Sequence, residues 1–155
     1  MSHLHQFVGF SLEGHGYAVP LSQVERVVHA VEMAPLPKAP DIILGVINFS
    51  GRIIPVVDIR QRFRLPAKET EIYDFLIIAR TSRREIAFTA EAMAGVLDCP
   101  EEEFITAEKI VPGLEYVQGV MRLKDGLIFI HDLDQFLSLD EERSLEKAMK
   151  EMGSQ

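Results

Sequence analysis

The chain has 155 residues, enough for one domain of ordinary size or two very small lobes on one core, and a chain of this length needs no metal or disulfide to hold it together. Hydrophobic residues make up 47% and charged residues 26%, the balance of a globular protein, while a formal net charge of −8 argues against phosphate-backbone partners. The single cysteine, Cys99, excludes an intramolecular disulfide and fits a reducing cytoplasm. The N-terminus Met1-Ser2-His3-Leu4-His5 lacks a basic stretch followed by an apolar one, so no signal peptide is expected. The longest apolar runs, such as residues 42–47 and 75–79, are too short to span a bilayer, and direct membrane insertion is not expected.

Short β-like runs recur up to about residue 131. Residues 6–12 read as a strand, Gly14-His15-Gly16 as a turn, and residues 17–20 as the return strand. Ser22 and Glu25 have the spacing of a capping box, which predicts a short helical turn there, ahead of a strand-like run over 26–31. Three prolines in residues 35–40 predict an extended surface loop. Asp41 can cap one helical turn that stops at Gly45. Residues 46–49 and 52–57 flank Ser50-Gly51, a tight hairpin signal. Both faces of this hairpin are apolar, so either both are covered or one awaits a partner. Pro55 in its second strand predicts an edge or a bulge, and Asp58 caps a short helix over 59–63.

Residues 64–74 are polar and read as a linker. Residues 75–79 and 85–88 form a second hairpin around 81–84, and 95–97 a further strand. The clearest hairpin runs over 117–123 and 127–130, because Asp125-Gly126 favours a primed turn. Asp132 caps residues 133–137, and residues 140–152 place Leu145, Ala148, Met149 and Met152 on one helical face. Two segments share a plan. Gly45-Val46-Ile47 leads through a hairpin to Asp58-Ile59, and Gly119-Val120-Met121 leads through another to Asp132-Leu133. This echo, with many short strands and few helices, predicts a mainly β chain of two similar small barrel lobes.

A search for reactive groups yields little. There is no phosphate-binding loop, no nucleophile elbow and no His-Glu-x-x-His. Cys99 has no base beside it in sequence and reads as a small, half-buried apolar residue. His3 and His5 could pinch a metal but sit in a terminus expected to fray. His131, Asp132 and Asp134 read as a capped, solvated corner, and Glu101-Glu102-Glu103 lacks the ligand spacing of a calcium loop. Arg60, Arg62 and Arg64, with Phe63 interleaved, read as an exposed helix face; the competing reading is a single-strand nucleic-acid patch. No enzyme activity, cofactor or metal is expected, and a binding module is favoured.

Several segments resemble the CheW-like family of chemotaxis adaptors. They are Phe7-Val8-Gly9-Phe10-Ser11-Leu12 with Tyr17-Ala18-Val19-Pro20 and Val24-Glu25-Arg26-Val27, then Leu36-Pro37 and the run 45–60, and finally Gly119-Val120 with 125–133. The resemblance covers about residues 6–138 and leaves 139–155 as a C-terminal helix or tail. It implies two five-stranded SH3-like barrels on a shared core and a scaffold without catalysis. It also implies two partners, the regulatory domain of the histidine kinase CheA and the cytoplasmic tip of methyl-accepting receptors, met in the cytoplasm at receptor arrays. Carried over residue by residue, the receptor groove holds Val24, Val27, Ile47, Ser50, Gly51 and Val96. The kinase surfaces hold Gly45, Arg52, Ile53 and Ile54 in one lobe, and Phe104 and Ile105 in the other. Two departures stand out. Ser50 occupies a place where the family usually has arginine, with Arg52 a candidate substitute, and Glu91 replaces the usual aspartate of a helical turn. The competing readings are a divergent adaptor of a non-flagellar pathway and a small-barrel nucleic-acid-binding protein.

Overall fold

A computed structural model describes residues 4–71, 73–106, 117–123 and 126–153. Among them lie the strands β1 (Leu4–Leu12), β2 (His15–Pro20), β3 (Val24–His29), β4 (Ile43–Phe49), β5 (Arg52–Val57), β6 (Phe75–Arg80), β7 (Glu85–Ala90), β8 (Ala92–Pro100), β9 (Phe104–Thr106), β10 (Val117–Leu123) and β11 (Gly126–His131). A one-turn helix α1 (Ile59–Arg62) follows β5, and a longer helix α2 (Leu139–Gly153) ends the described chain. One sheet has the order β3-β6-β7-β5-β4 and the other β8-β1-β2-β11-β10-β9. The chain therefore starts in the six-stranded lobe, builds the five-stranded lobe, and returns. The mainly β, two-lobed architecture stands. One lobe has six strands rather than five, because the nine-residue β8 pairs along the whole of β1.

Alternation along the strands explains the assembly. Successive side chains of a strand point to opposite faces. In β6, Leu76 and Ile78 point into the five-stranded lobe, whereas Ile77 and Ala79 point to the other lobe. In β1 and β2, Phe7 and Ala18 fill the six-stranded lobe, whereas Val8, Phe10, Tyr17 and Val19 meet the five-stranded one. Each lobe thus wraps its own small cluster, and a larger shared cluster joins the two. This answers the two-faced hairpin. Ile47, Ile54 and Val56 fill the lobe interior, and Val46 and Val57 join the shared core, so both faces are largely covered, with Leu44 and Ile53 left exposed.

Aromatic rings stitch the joint alternately from both sides. Phe10 lies 5.4 Å from Phe88, Phe88 meets Phe136 edge-on at 5.5 Å, and Phe136 meets Phe63 edge-on at 5.8 Å. Phe63 then stacks on Tyr17 and on His131, at 4.8 and 4.1 Å. Helix α2 closes the same core with Leu145 and Ala148 buried and Met149 and Met152 beside them. Its start is a reciprocal cap: the Glu141 N–H donates to Ser138 Oγ, and the Ser138 N–H donates to the Glu141 carboxylate.

The internal echo has a physical basis. Both β4 and β10 carry a register shift immediately before a glycine, at Ile43/Gly45 and Val117/Gly119. A Cβ on Gly45 would lie 2.6 Å from the Ala34 carbonyl oxygen, and one on Gly119 would lie 2.7 Å from that of Ile105. In each lobe a neighbouring segment crosses where only glycine fits. Both hairpins then end in a capping aspartate: Asp58 Oδ1 accepts from the Gln61 N–H and Asp132 Oδ1 from the Asp134 N–H.

Several local expectations are corrected. The first turn is Glu13-Gly14, with φ of 52° and 76°, because Leu12 already pairs with His15. Ser22 caps nothing: the 3-10 turn is Leu21–Gln23, and Glu25 sits at the register shift of β3. Asp41 starts no helix, since the ladder to β5 begins at Ile43. Pro55 lies in a central strand, between β7 and β4. Val46, its partner across β4–β5, exchanges both its backbone hydrogen bonds with Ala34, so no N–H is required of Pro55 there. The Ser50-Gly51 turn, with φ of 51° and 82°, is as expected. In the last hairpin turn, Lys124 and Asp125 lie outside the described residues, as does His3.

Candidate docking surfaces

Burial sorts the residues carried over to partner surfaces. Ile47 and Ile54 are 2% and 0% exposed inside the five-stranded lobe, and Gly45 lies beneath the Ala34 carbonyl. Ile47 and Ile54 thus present no side-chain surface while the barrel is closed. Val27 and Val96 do reach solvent, at 36% and 55% exposure, on the edge strands β3 and β8 of the two sheets. Val24 is half-buried and packs against the shared core.

The hairpin tip presents Ser50, Gly51, Arg52 and Ile53 outward. Asn48 Oδ1 accepts from the Gly51 N–H at 3.1 Å and braces the turn. Arg52 is already engaged. It bridges Glu85 at 2.7 Å and Glu25 at 3.7 Å, and its guanidinium lies 5.9 Å from the Phe49 ring, which Arg26 also approaches at 5.6 Å. Burial, then the neighbouring Glu25 carboxyl, pushes the Glu85 carboxyl above the usual range. Arg52 is thus held as the counter-ion of this acidic pair rather than left free to replace an arginine at position 50.

In the other lobe, Phe104 and Ile105 are half-buried on edge strand β9. Phe104 stacks near Phe7 and His5, with centroids 6.4 and 5.8 Å away, beside an open groove that Gln118 also lines. The sequence reading missed an equivalent feature of the five-stranded lobe. The extra residue of the β4 bulge, Leu44, is 43% exposed and shares an open trough with Val31 and Met33, rimmed by Glu32, Glu69 and Glu71. Only the register shift reveals it, because in sequence Leu44 is one more apolar residue in an apolar run.

The arginine cluster is not an exposed helix face. Arg60 is 6% exposed and donates to Glu13 and Glu91, both at 2.5 Å, and to the Pro66 carbonyl at 3.2 Å. Burial alone would lower the tendency of Arg60 to stay charged; the two carboxylates outweigh it and hold the guanidinium protonated. Arg62 donates to the Phe136 carbonyl and to Glu141. These ion pairs engage Arg60 and Arg62, while Arg64, past the end of α1, is exposed. Glu91 is likewise not a helix cap. It sits in the crossover between β7 and β8 and accepts from the Glu13 N–H at 2.8 Å. That hydrogen bond first, with Lys68 and Arg60, holds its carboxyl below the usual range against the opposing effect of burial.

A group whose folded pKa is depressed adds stability above its unfolded pKa and loses it as pH falls. The contribution of Glu91 should therefore fade as pH falls below its unfolded value of roughly 4.5, and Glu91→Gln should make a stability profile followed by urea denaturation less steep there. A variant profile parallel to the wild type would contradict the assignment.

His131 is 4% exposed against Phe63, so only the aspartates of that corner are solvated. Cys99 is fully buried; burial, then Glu103, pushes its thiol pKa up, which suits packing and not attack. Among the described residues no cluster of three or more metal-binding side chains occurs.

The family model described as CheW-like domain matches residues 6–141. The chemotaxis protein CheW of Thermotoga maritima is 26% identical over 132 residues, covering 85% of this chain and 87% of that protein. Its counterpart in Rhizobium meliloti is 23% identical over 138 residues, covering 88% and 89%. Among solved structures, the scaffolding protein TtCheW from Thermoanaerobacter tengcongensis superposes with a TM-score of 0.80 at 24% identity, over 90% of this chain and 96% of that one.

Proposed function

Because the chain belongs to the CheW-like domain family, we propose that it is a non-catalytic adaptor of chemotaxis that couples methyl-accepting receptors to the histidine kinase CheA. The observation that carries this reading is the division of exposed apolar surface between two lobes held on one core. Val27 and the hairpin tip lie on one lobe, and Val96 and Phe104 on the other. Each proposed partner surface takes residues from both lobes, so both surfaces depend on the joint that holds the lobes together. The receptor tip, a helical coiled coil with an apolar stripe, suits Val24, Val27 and Val96 with Ser50 and Gly51 at the rim. The kinase regulatory domain suits Arg52 and Ile53 on one lobe and Phe104 and Ile105 on the other. No described helix is long and apolar enough to cross a membrane; the proposed place of work is the cytoplasm, at receptor arrays.

Titration calorimetry with a receptor tip fragment and with the CheA regulatory domain tests the assignment. Val27→Asp with Val96→Asp should abolish receptor binding and spare the kinase; Ile53→Asp should do the reverse. Receptor binding unchanged in the double variant would place that surface elsewhere. A further result is expected of Ser50→Arg. A charge-assisted hydrogen bond in a desolvated site contributes about 1.5–3 kcal/mol, so receptor affinity should rise about tenfold or more. Equal affinity would mean that the tip does not meet an acceptor.

A further inference from the structure

The two lobes are joined by an apolar core and by several polar contacts, among them Ser82 N–H to Asp134, Arg62 to the Phe136 carbonyl and a clasp centred on the buried Arg60. Arg60 belongs to the five-stranded lobe, at the start of α1. Glu13 belongs to the six-stranded lobe, at the turn between β1 and β2, and Glu91 stands where the chain crosses between the sheets. One guanidinium holds both carboxylates through separate nitrogens, Nη1 to Glu13 and Nη2 to Glu91. The backbone closes the loop: the Glu13 N–H donates to Glu91 Oε1, and the Glu91 N–H donates to the Ser11 carbonyl at 3.0 Å. Glu13 makes these contacts from φ of 52°, a conformation that favours glycine, asparagine or aspartate. Turn chemistry does not ask for glutamate at that position; the reach of its side chain to Arg60 does.

Apolar contacts are nondirectional and tolerate small rotations, whereas a planar guanidinium gripping two carboxylates fixes an orientation. We propose that the Arg60–Glu13–Glu91 clasp sets the angle between the two lobes, with the aromatic joint supplying adhesion rather than orientation. The clasp would then fix the spacing of surfaces that lie on different lobes, whatever partners those surfaces meet.

Paired spin labels test this without any partner, so the result is independent of the docking assignments. In a Cys99→Ser background, labels at Ser50→Cys and Leu127→Cys report across the lobes, and labels at Ser50→Cys and Ser82→Cys report within the five-stranded lobe. With the clasp intact, both distance distributions should be narrow. Arg60→Lys keeps the charge and loses the fork; Glu13→Gln alters an exposed side chain and so preserves folding. Both should broaden or move the cross-lobe distribution and leave the within-lobe one unchanged. Cross-lobe distributions that coincide with those of the parent in both variants would overturn the proposal and leave the angle to the apolar joint and the remaining polar contacts.

Discussion

Phe136→Ala should lower the unfolding free energy by about 3–5 kcal/mol, the range for emptying a buried phenylalanine site. The ring is fully buried, touches Phe63 and Phe88 of the five-stranded lobe edge-on, and follows directly from the last hairpin of the other lobe. Its removal leaves a void in the shared core, to which both lobes and α2 contribute buried residues, so neighbouring backbones cannot collapse into it independently. For a chain of this size the melting temperature should fall by about 6–20 °C. Tyr73→Ala is the matched control. Tyr73 is 77% exposed, and its loss should change stability by no more than about 0.5 kcal/mol. Thermal melts of the two variants that superimpose would show that the shared core does not hold the lobes together.

Arg60→Ala comes second. Truncating one member of a buried ion pair costs about 3–5 kcal/mol, because the partner charge is left uncompensated. Here the partner side chains remain 37% and 32% exposed at Glu13 and Glu91, so water can reach them once the arginine is gone. The expected loss is therefore smaller, about 2–3 kcal/mol. Adding Glu13→Gln and Glu91→Gln to the Arg60→Ala background should recover part of it, since the repelling carboxylates are then removed too. Urea denaturation of the single, double and triple variants gives the coupling energies directly. Strictly additive losses would mean that the three side chains do not act as a unit.

Much of the architecture was legible in the sequence because strand alternation and turn chemistry are local. Ser50-Gly51 and the paired glycines Gly45 and Gly119 announced their hairpins, and Asp58 and Asp132 announced their caps. Short-range patterns misled where a ladder decided. Ser22 and Glu25 have the same spacing as Ser138 and Glu141, yet only the second pair caps a helix. Val24 at the first site is claimed by its pairing with Ala79, whereas α2 has no strand partner. Candidate docking residues were less legible for a related reason. Apolar residues of the 43–57 hairpin look alike in sequence, and only the register separates the buried Ile47 and Ile54 from the exposed Leu44 and Ile53. The arginines misled because their carboxylates come from far along the chain: Glu13 and Glu91 for Arg60, and Glu141 for Arg62.

The central claim is that one copy of this chain holds a receptor and a kinase at once. Its most direct test is co-sedimentation of receptor-bearing membranes with CheA, with and without the chain. Kinase should pellet with the membranes only when the chain is present, and Val27→Asp with Val96→Asp should abolish this recruitment. Kinase that pellets equally without the chain, or receptor fragment that displaces kinase from it, would contradict the claim.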